Sequence, residues 1–179
     1  GSNGRLVVKR FPGAQMGPTP QHYDFARTGQ ADVSWFLHGG TPGRFPLTEI
    51  ISLPYMVGSS EIGTKVLNDP TLRQKYLDAE HKGVKVLILF THQPGGPHTT
   101  KKAIRTMDDF KGTKMRAYNP YTTKIAQMVK AQPVTIQLAE LGQALATGAV
   151  DNFLTSSASG VDSKLFEQTK YFYIVNGWL

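Results

Sequence analysis

The order of elements along this chain predicts an α/β fold, with strands and helices alternating in parallel or mixed sheets that carry helices on both faces. Three observations support this. Short β-branched and aromatic runs alternate with segments of helical period. The run Val84–Phe90 is almost wholly apolar, the pattern of a strand covered on both sides. The length, 179 residues of which 40% are hydrophobic, supplies a core for about one domain or two small lobes.

Arg5–Phe11 reads as a strand stopped by Pro12-Gly13. Pro18–Thr28 reads as a helix with Gly29 as its C-terminal stop. Ala31–Leu37 is a second strand, followed by the Gly/Pro-rich loop His38–Gly43, and Pro46–Ile50 is one helical turn. Ser59 and Ser60 can cap a helix reaching about Asn68, and Pro70 opens another with Leu72, Tyr76 and Leu77 on one face. The Val84–Phe90 strand then gives way to a long loop, Thr91–Thr100, rich in Pro and Gly. Lys114–Tyr118 is a short strand. Asn119-Pro120 opens a helix, Asn as cap and Pro at the first helical position, with Tyr121, Ile125, Met128 and Val129 as its apolar stripe. Val134–Gln137 is a strand, Leu138–Thr147 a helix ended by Gly148, Val150–Thr155 a strand, Val161–Gln168 a helix and Tyr171–Val175 a strand.

Composition excludes several functions. There is no cysteine, which removes disulfide scaffolds, thiolate zinc sites and thiol catalysis. The longest apolar run, Val86–Phe90, falls far short of the ~20 residues of a membrane span. No signal peptide is present, and Gly1-Ser2 reads as a cloning remnant, so one could have been removed. The formal charge of +7 is scattered over Lys9 and Arg10, Lys82 and Lys85, Lys101 and Lys102, Lys111 and Lys114. Without a basic stripe or reader motif this is a soluble basic surface rather than a nucleic-acid interface.

Catalytic and metal motifs are equally thin. No pair among His22, His38, His81, His92 and His98 has the helical i, i+4 spacing of a zinc site, and His92 and His98 share only a loop. No Gly-x-Ser-x-Gly occurs, and the Ser-rich stretch Thr155–Gly160 reads as a turn whose hydroxyls cap the next helix. His38–Gly43 lacks the residues of a phosphate cradle, and Asp108-Asp109 reads as a helix start. What remains is a binding chemistry. Arg116 sits at the centre of a short strand, either exposed on one face or aimed into a cleft, and spacing alone favours exposure. In a cleft, its guanidinium fork would match a carboxylate.

The segment Asp109-Phe110-Lys111-Gly112-Thr113-Lys114-Met115-Arg116 resembles the "DhKGhKhR" signature (h apolar or small) of the solute-receptor subunits of tripartite ATP-independent periplasmic (TRAP) transporters, the DctP-like family. Other blocks follow in that family's order. They are Asn3–Val8, Pro12–Gly17, Gly29–Val33, Arg44–Leu47, Leu53-Pro54-Tyr55, Leu145–Asp151, and Lys164–Glu167 with Lys170-Tyr171.

The resemblance implies a periplasmic binding protein-like fold of two lobes, each a β-sheet flanked by helices, here incomplete at both ends. Residues 1–95 and 168–179 would form part of lobe I, and 96–167 part of lobe II. It implies a receptor, not an enzyme, in the periplasm, with no cofactor, holding a small organic acid in the interlobe cleft for delivery to a TRAP permease. Arg116 is the position that would bind the carboxylate. Tyr118, two residues on, would point the same way. Trp35, Phe36, His38, Phe45, Phe153, Thr155 and Ser156 match the family's other pocket positions, though each aromatic fits a core equally well. Sialic-acid members carry a second arginine where this chain has Gly95-Gly96-Pro97-His98, so that substrate is not expected. Phe153 stands where the family has a polar residue, which points to an aromatic or aliphatic monocarboxylate. Both Trp35 and Trp178 would lie near the cleft.

Two other expectations stand beside this one. A truncated member could fail to bind, or could self-associate by domain swapping through an unpaired sheet edge. Alternatively, His92 or His98 with a Ser157-type hydroxyl could make a small α/β hydrolase.

Overall fold

A strand forms only where a neighbour supplies hydrogen bonds to its backbone, and this requirement separates the predicted strands into two groups. The computed structural model describes residues 2–53, 55–93 and 95–175, so Pro54 and Trp178 lie outside it. It divides between Leu37 and His38 into two units.

In the first unit a 3₁₀ turn, Thr19–Gln21, leads into α1, His22–Arg27, as the Pro18–Thr28 reading requires. Tyr23 and Phe25 are buried, and Tyr23 meets the edge of Phe36 with centroids 5.4 Å apart. The Ser34 hydroxyl donates to His22 O at 2.6 Å. Arg5–Phe11 and Ala31–Leu37 join no ladder, which corrects both strand expectations. Several of their apolar side chains stay in solvent, with Val7 85% and Val33 70% exposed.

The second unit holds a mixed sheet of five strands: β1 Gly95–Thr99, β2 Lys114–Ala117, β3 Gln132–Thr135, β4 Asn152–Ser156 and β5 Tyr171–Phe172. Their order is β3-β2-β4-β1-β5. β2 runs parallel to β3 and β4, while β1 is antiparallel to β4 and β5. Before the sheet come α2 Pro46–Glu49, α3 Ser60–Leu67 and α4 Pro70–Leu72, the last continuing through a π turn, Arg73–Leu77, and a 3₁₀ turn, Asp78–Glu80. Within it come α5 Pro120–Met128, α6 Leu138–Ala146 and α7 Ser157–Asp162. The predicted caps hold: Ser59 Oγ accepts from Ile62 N, and Asn119 Oδ1 accepts from Thr122 N at 2.8 Å. Helix α7 begins earlier than Val161, with Ser156 as its cap.

Helices cover both faces of the sheet. On one, Met115 packs with Phe110, Ala126 and Ala131; on the other, Phe153 and Val150 pack with Leu141, Leu145 and Leu165.

Two corrections have physical reasons. Val84–Phe90 is not a strand, because side chains take the place of a neighbouring strand. Asn68 bonds both the N–H and the C=O of Leu89, and Arg73 donates to Val86 O at 3.2 Å. Conversely, part of the predicted loop 91–100 is β1, lying between β4 and β5. Its glycines permit that position. A Cβ on Gly95 would lie 2.3 Å from Thr155 O, and one on Gly96 2.0 Å from Tyr173 O. Glycine here marks the close approach of neighbouring backbone rather than a turn.

Candidate ligand-binding site

β2 carries Met115 and Ala117 into the core on one face, so alternation sends Arg116 to the other. There Arg116 is 93% buried, its residual exposure being 7%. Its Nε donates to Ile136 O at 2.9 Å, on the chain leaving β3, and its guanidinium carbon lies 4.6 Å from the Tyr118 ring centroid. Burial pulls its pKa below the ordinary value, against the Tyr118 phenol, yet a guanidinium stays protonated. No carboxylate pairs with it among the described residues. A buried cation without a counter-charge is costly, and an anion from outside the chain would relieve that cost.

A second segment, 38–49, comes to the same region. A Cβ on Gly39 would stand 3.3 Å from Asn119 Nδ2, the residue after Tyr118. The Tyr121 hydroxyl donates to Glu49 Oε2 at 3.3 Å. Burial holds the Glu49 carboxyl above its ordinary value, partly offset by this hydrogen bond. The segment is anchored by Glu80, whose carboxylate accepts from Leu47 N at 2.7 Å, Thr48 N at 2.9 Å and the Thr48 hydroxyl at 2.8 Å. His38 and His81 share a hydrogen bond, Nε2 to Nε2, of 2.9 Å, and Phe45 stacks on His81 with centroids 4.9 Å apart. Burial, then the neighbouring His81, lowers the His38 pKa to about 4, against Glu80.

Of the residues expected to line the pocket, Arg116 and Tyr118 are in contact, while the His38 ring lies against His81 and Phe45. Phe45 is wholly buried against the two histidines. Phe153 is also wholly buried, stacked on His98 at 4.8 Å within the α6 core, where packing calls for an apolar residue. Thr155 faces Gly96 in the ladder, and Ser156 accepts from Ser159 N as the α7 cap. Trp35 and Phe36 belong to the first unit. His81, Glu49 and the Ile136 carbonyl were not foreseen. His81 lies 43 residues from its partner, and no local pattern announces such a pair. Neither His92 nor His98 bonds a hydroxyl among the described residues, and the His98 ring is buried between Phe153 and Phe172. Among those residues no cluster of acidic and histidine side chains could hold a metal ion, and no helix is long and apolar enough to cross a membrane.

The sequence profile of the bacterial extracellular solute-binding proteins, family 7 (DctP), matches residues 1–178. The chain belongs to this family. Among solved structures, a TRAP solute-binding protein of an unidentified marine microbe, specific for aromatic acids and bound to 3-hydroxybenzoate, is 34% identical with a TM-score of 0.85. It aligns over 96% of this chain and 53% of its own. One from Rhodoferax ferrireducens, with copurified benzoate, is 34% identical with a TM-score of 0.84 over 96% and 53%. A Bordetella pertussis extracytoplasmic solute receptor binding pyroglutamic acid is 32% identical with a TM-score of 0.82 over 99% and 58%. Among curated relatives, the 2,3-diketo-L-gulonate-binding periplasmic protein of Escherichia coli is 23% identical over 84% of this chain and 46% of its own. This DctP chain thus spans about half the length of the relatives it matches, and its mixed α/β sheet is that of the periplasmic binding protein-like TRAP receptors.

Proposed function

We propose that this chain is the ligand-anchoring portion of an extracytoplasmic receptor that binds a small organic acid, an aromatic monocarboxylate, and delivers it to a TRAP permease. One observation carries the reading: Arg116 is buried with no carboxylate partner among the described residues. Its Nε is committed to Ile136 O and its plane is set by Tyr118, which leaves the two terminal nitrogens as a fork for a carboxylate. The two aromatic-acid receptors at 34% identity support the ring-bearing class of acid. Family membership favours binding and transport over the hydrolase alternative. The comparisons give no support to self-association by domain swapping.

Titration calorimetry with benzoate, 3-hydroxybenzoate and pyroglutamate tests this. Benzoate-type acids should bind, and Arg116→Ala should weaken them by about ten- to a hundredfold while leaving the melting transition in place. A folded chain that takes up none of these acids would overturn the reading and favour a non-binding fragment.

A further inference from the structure

The first turn of α5 is tethered to two parts of the chain. The Thr122 hydroxyl accepts from Tyr118 N at 3.0 Å and from Asn119 N at 3.2 Å, which ties the turn to the strand end that carries Arg116 and the Tyr118 ring. The Tyr121 hydroxyl donates to Glu49 Oε2, 72 residues away in sequence. Segment 38–49 meets the same turn at a second point, where a Cβ on Gly39 would stand 3.3 Å from Asn119 Nδ2. The Asn119 side chain is locked there by its cap, with Oδ1 accepting from the Thr122 amide and hydroxyl. Glu49 is 93% buried, and a buried carboxylate is costly unless donors reach it. The Tyr121 ring is 49% exposed, so its hydroxyl, rather than packing of the ring, is what ties it to Glu49. Glu80 pins Leu47 N and Thr48 N, so a pull on Glu49 is passed to the backbone of the segment.

We infer that Tyr121 is a positioning residue that, through Glu49, holds segment 38–49 against the first turn of α5 and slows the departure of an acid held by Arg116. The inference rests on the reading above, in which Arg116 anchors the acid. A contact adds to affinity only where it is better made in the bound protein than in the free one. The Tyr121–Glu49 bond has room for that: at 3.3 Å it is longer than the ~2.7 Å usual for a hydroxyl donor, and it tightens as segment and turn settle around an acid. Without the hydroxyl the buried carboxylate loses a donor, and the segment opens to let water reach it. The loss therefore falls on the off-rate rather than on association.

The test has a binding arm and an exchange arm. The probe is whichever of benzoate and 3-hydroxybenzoate binds the wild-type chain more tightly. Tyr121→Phe, which keeps the ring, should bind it about three- to tenfold more weakly, with the change in the dissociation rate. Glu49→Leu should match that loss, and the double variant should be no weaker than either single one. Glu49→Gln, whose amide oxygen can still accept, should stay near wild type. In the ligand-free protein, hydrogen exchange at the amides of residues 38–49 should quicken in Tyr121→Phe and not in Glu49→Gln. The inference is overturned if Tyr121→Phe binds as tightly as wild type, or if exchange in the segment is unchanged. It is also overturned if the hydroxyl costs as much on the Glu49→Leu background, which would place it on the ligand itself. A wild-type chain that binds neither acid brings down the proposed function, and exchange alone then decides whether Tyr121 holds the segment. Should Glu49→Leu fail to fold, Tyr121→Phe against Glu49→Gln still decides.

Discussion

The Arg116 guanidinium carbon sits 4.6 Å from the centroid of the Tyr118 ring, two residues further along the same chain. The ring orients the fork and screens one of its faces, and Ile136 O removes the Nε proton from competition. Arg116→Ala should therefore weaken an aromatic acid by about ten- to a hundredfold, the worth of a charge-assisted pair. Stability should change little, since the side chain makes no ion pair among the described residues. Arg116→Lys should recover little of the affinity, because an ammonium is neither planar nor bidentate. Calorimetry and thermal melting on the same samples check all three statements, and a large loss of stability in Arg116→Ala would show that the arginine is structural.

Gly96 should be among the least replaceable residues in the sheet. A Cβ there would lie 2.0 Å from Tyr173 O, backbone of the chain leaving β5, and no rotamer can relieve that overlap. Gly96→Ala should cost about 2 kcal/mol or more, within the range for overpacking. Gly58→Ala, at a position with nothing within 4 Å of a Cβ, should be near neutral. Urea unfolding of the two variants gives the comparison.

The contrast between β1 and Val84–Phe90 shows what was legible and why. Sequence reasoning found α3, α5, α6, β2 and the Asn119 cap because caps and periodicity are local. It misread Gly95–Thr99 as loop because the use of those glycines depends on carbonyls of β4 and of the chain after β5, more than 50 residues away. It misread Val84–Phe90 as strand because composition reports only that a segment can extend, not that a neighbour will pair with it. Here Asn68 and Arg73 side chains occupy the backbone groups instead. At the site, Arg116 was legible only through its motif. His81 and Glu49 were not legible, because their partners are fixed by tertiary packing.

Gly142 is the converse of Gly96. It lies inside α6 with nothing within 4 Å of the place a Cβ would take. Alanine there removes chain freedom from the unfolded state and meets no clash, so Gly142→Ala should stabilise by about 0.5–1 kcal/mol. A lowered melting temperature would mean that something packs on that face of α6.

Stability should fall on mild acidification, through histidines. The His38 pKa is lowered to about 4, chiefly by burial and then by His81, with Glu80 opposing. Burial also lowers His92 and His98, the latter partly opposed by the Thr155 backbone. For a base with a depressed folded pKa, the unfolded chain takes the proton first. As pH falls below the ordinary value of about 6.5, the unfolded state therefore gains protons that the native state refuses. The neutral-histidine contribution is whole above that pH and is lost progressively down to about 4 for His38, where the native state protonates as well. Melting temperatures measured from pH 7.5 to 4 should decline through this window. His38→Phe, which cannot titrate, should flatten part of the slope. An unchanged slope in that variant would assign the acid sensitivity to His92 and His98, or to carboxylates such as Asp151. Burial opposes ionisation of Asp151, but its contacts with Lys101 and the Lys114 amide more than offset that, so its net pKa is lowered and its own stabilisation is lost only at lower pH.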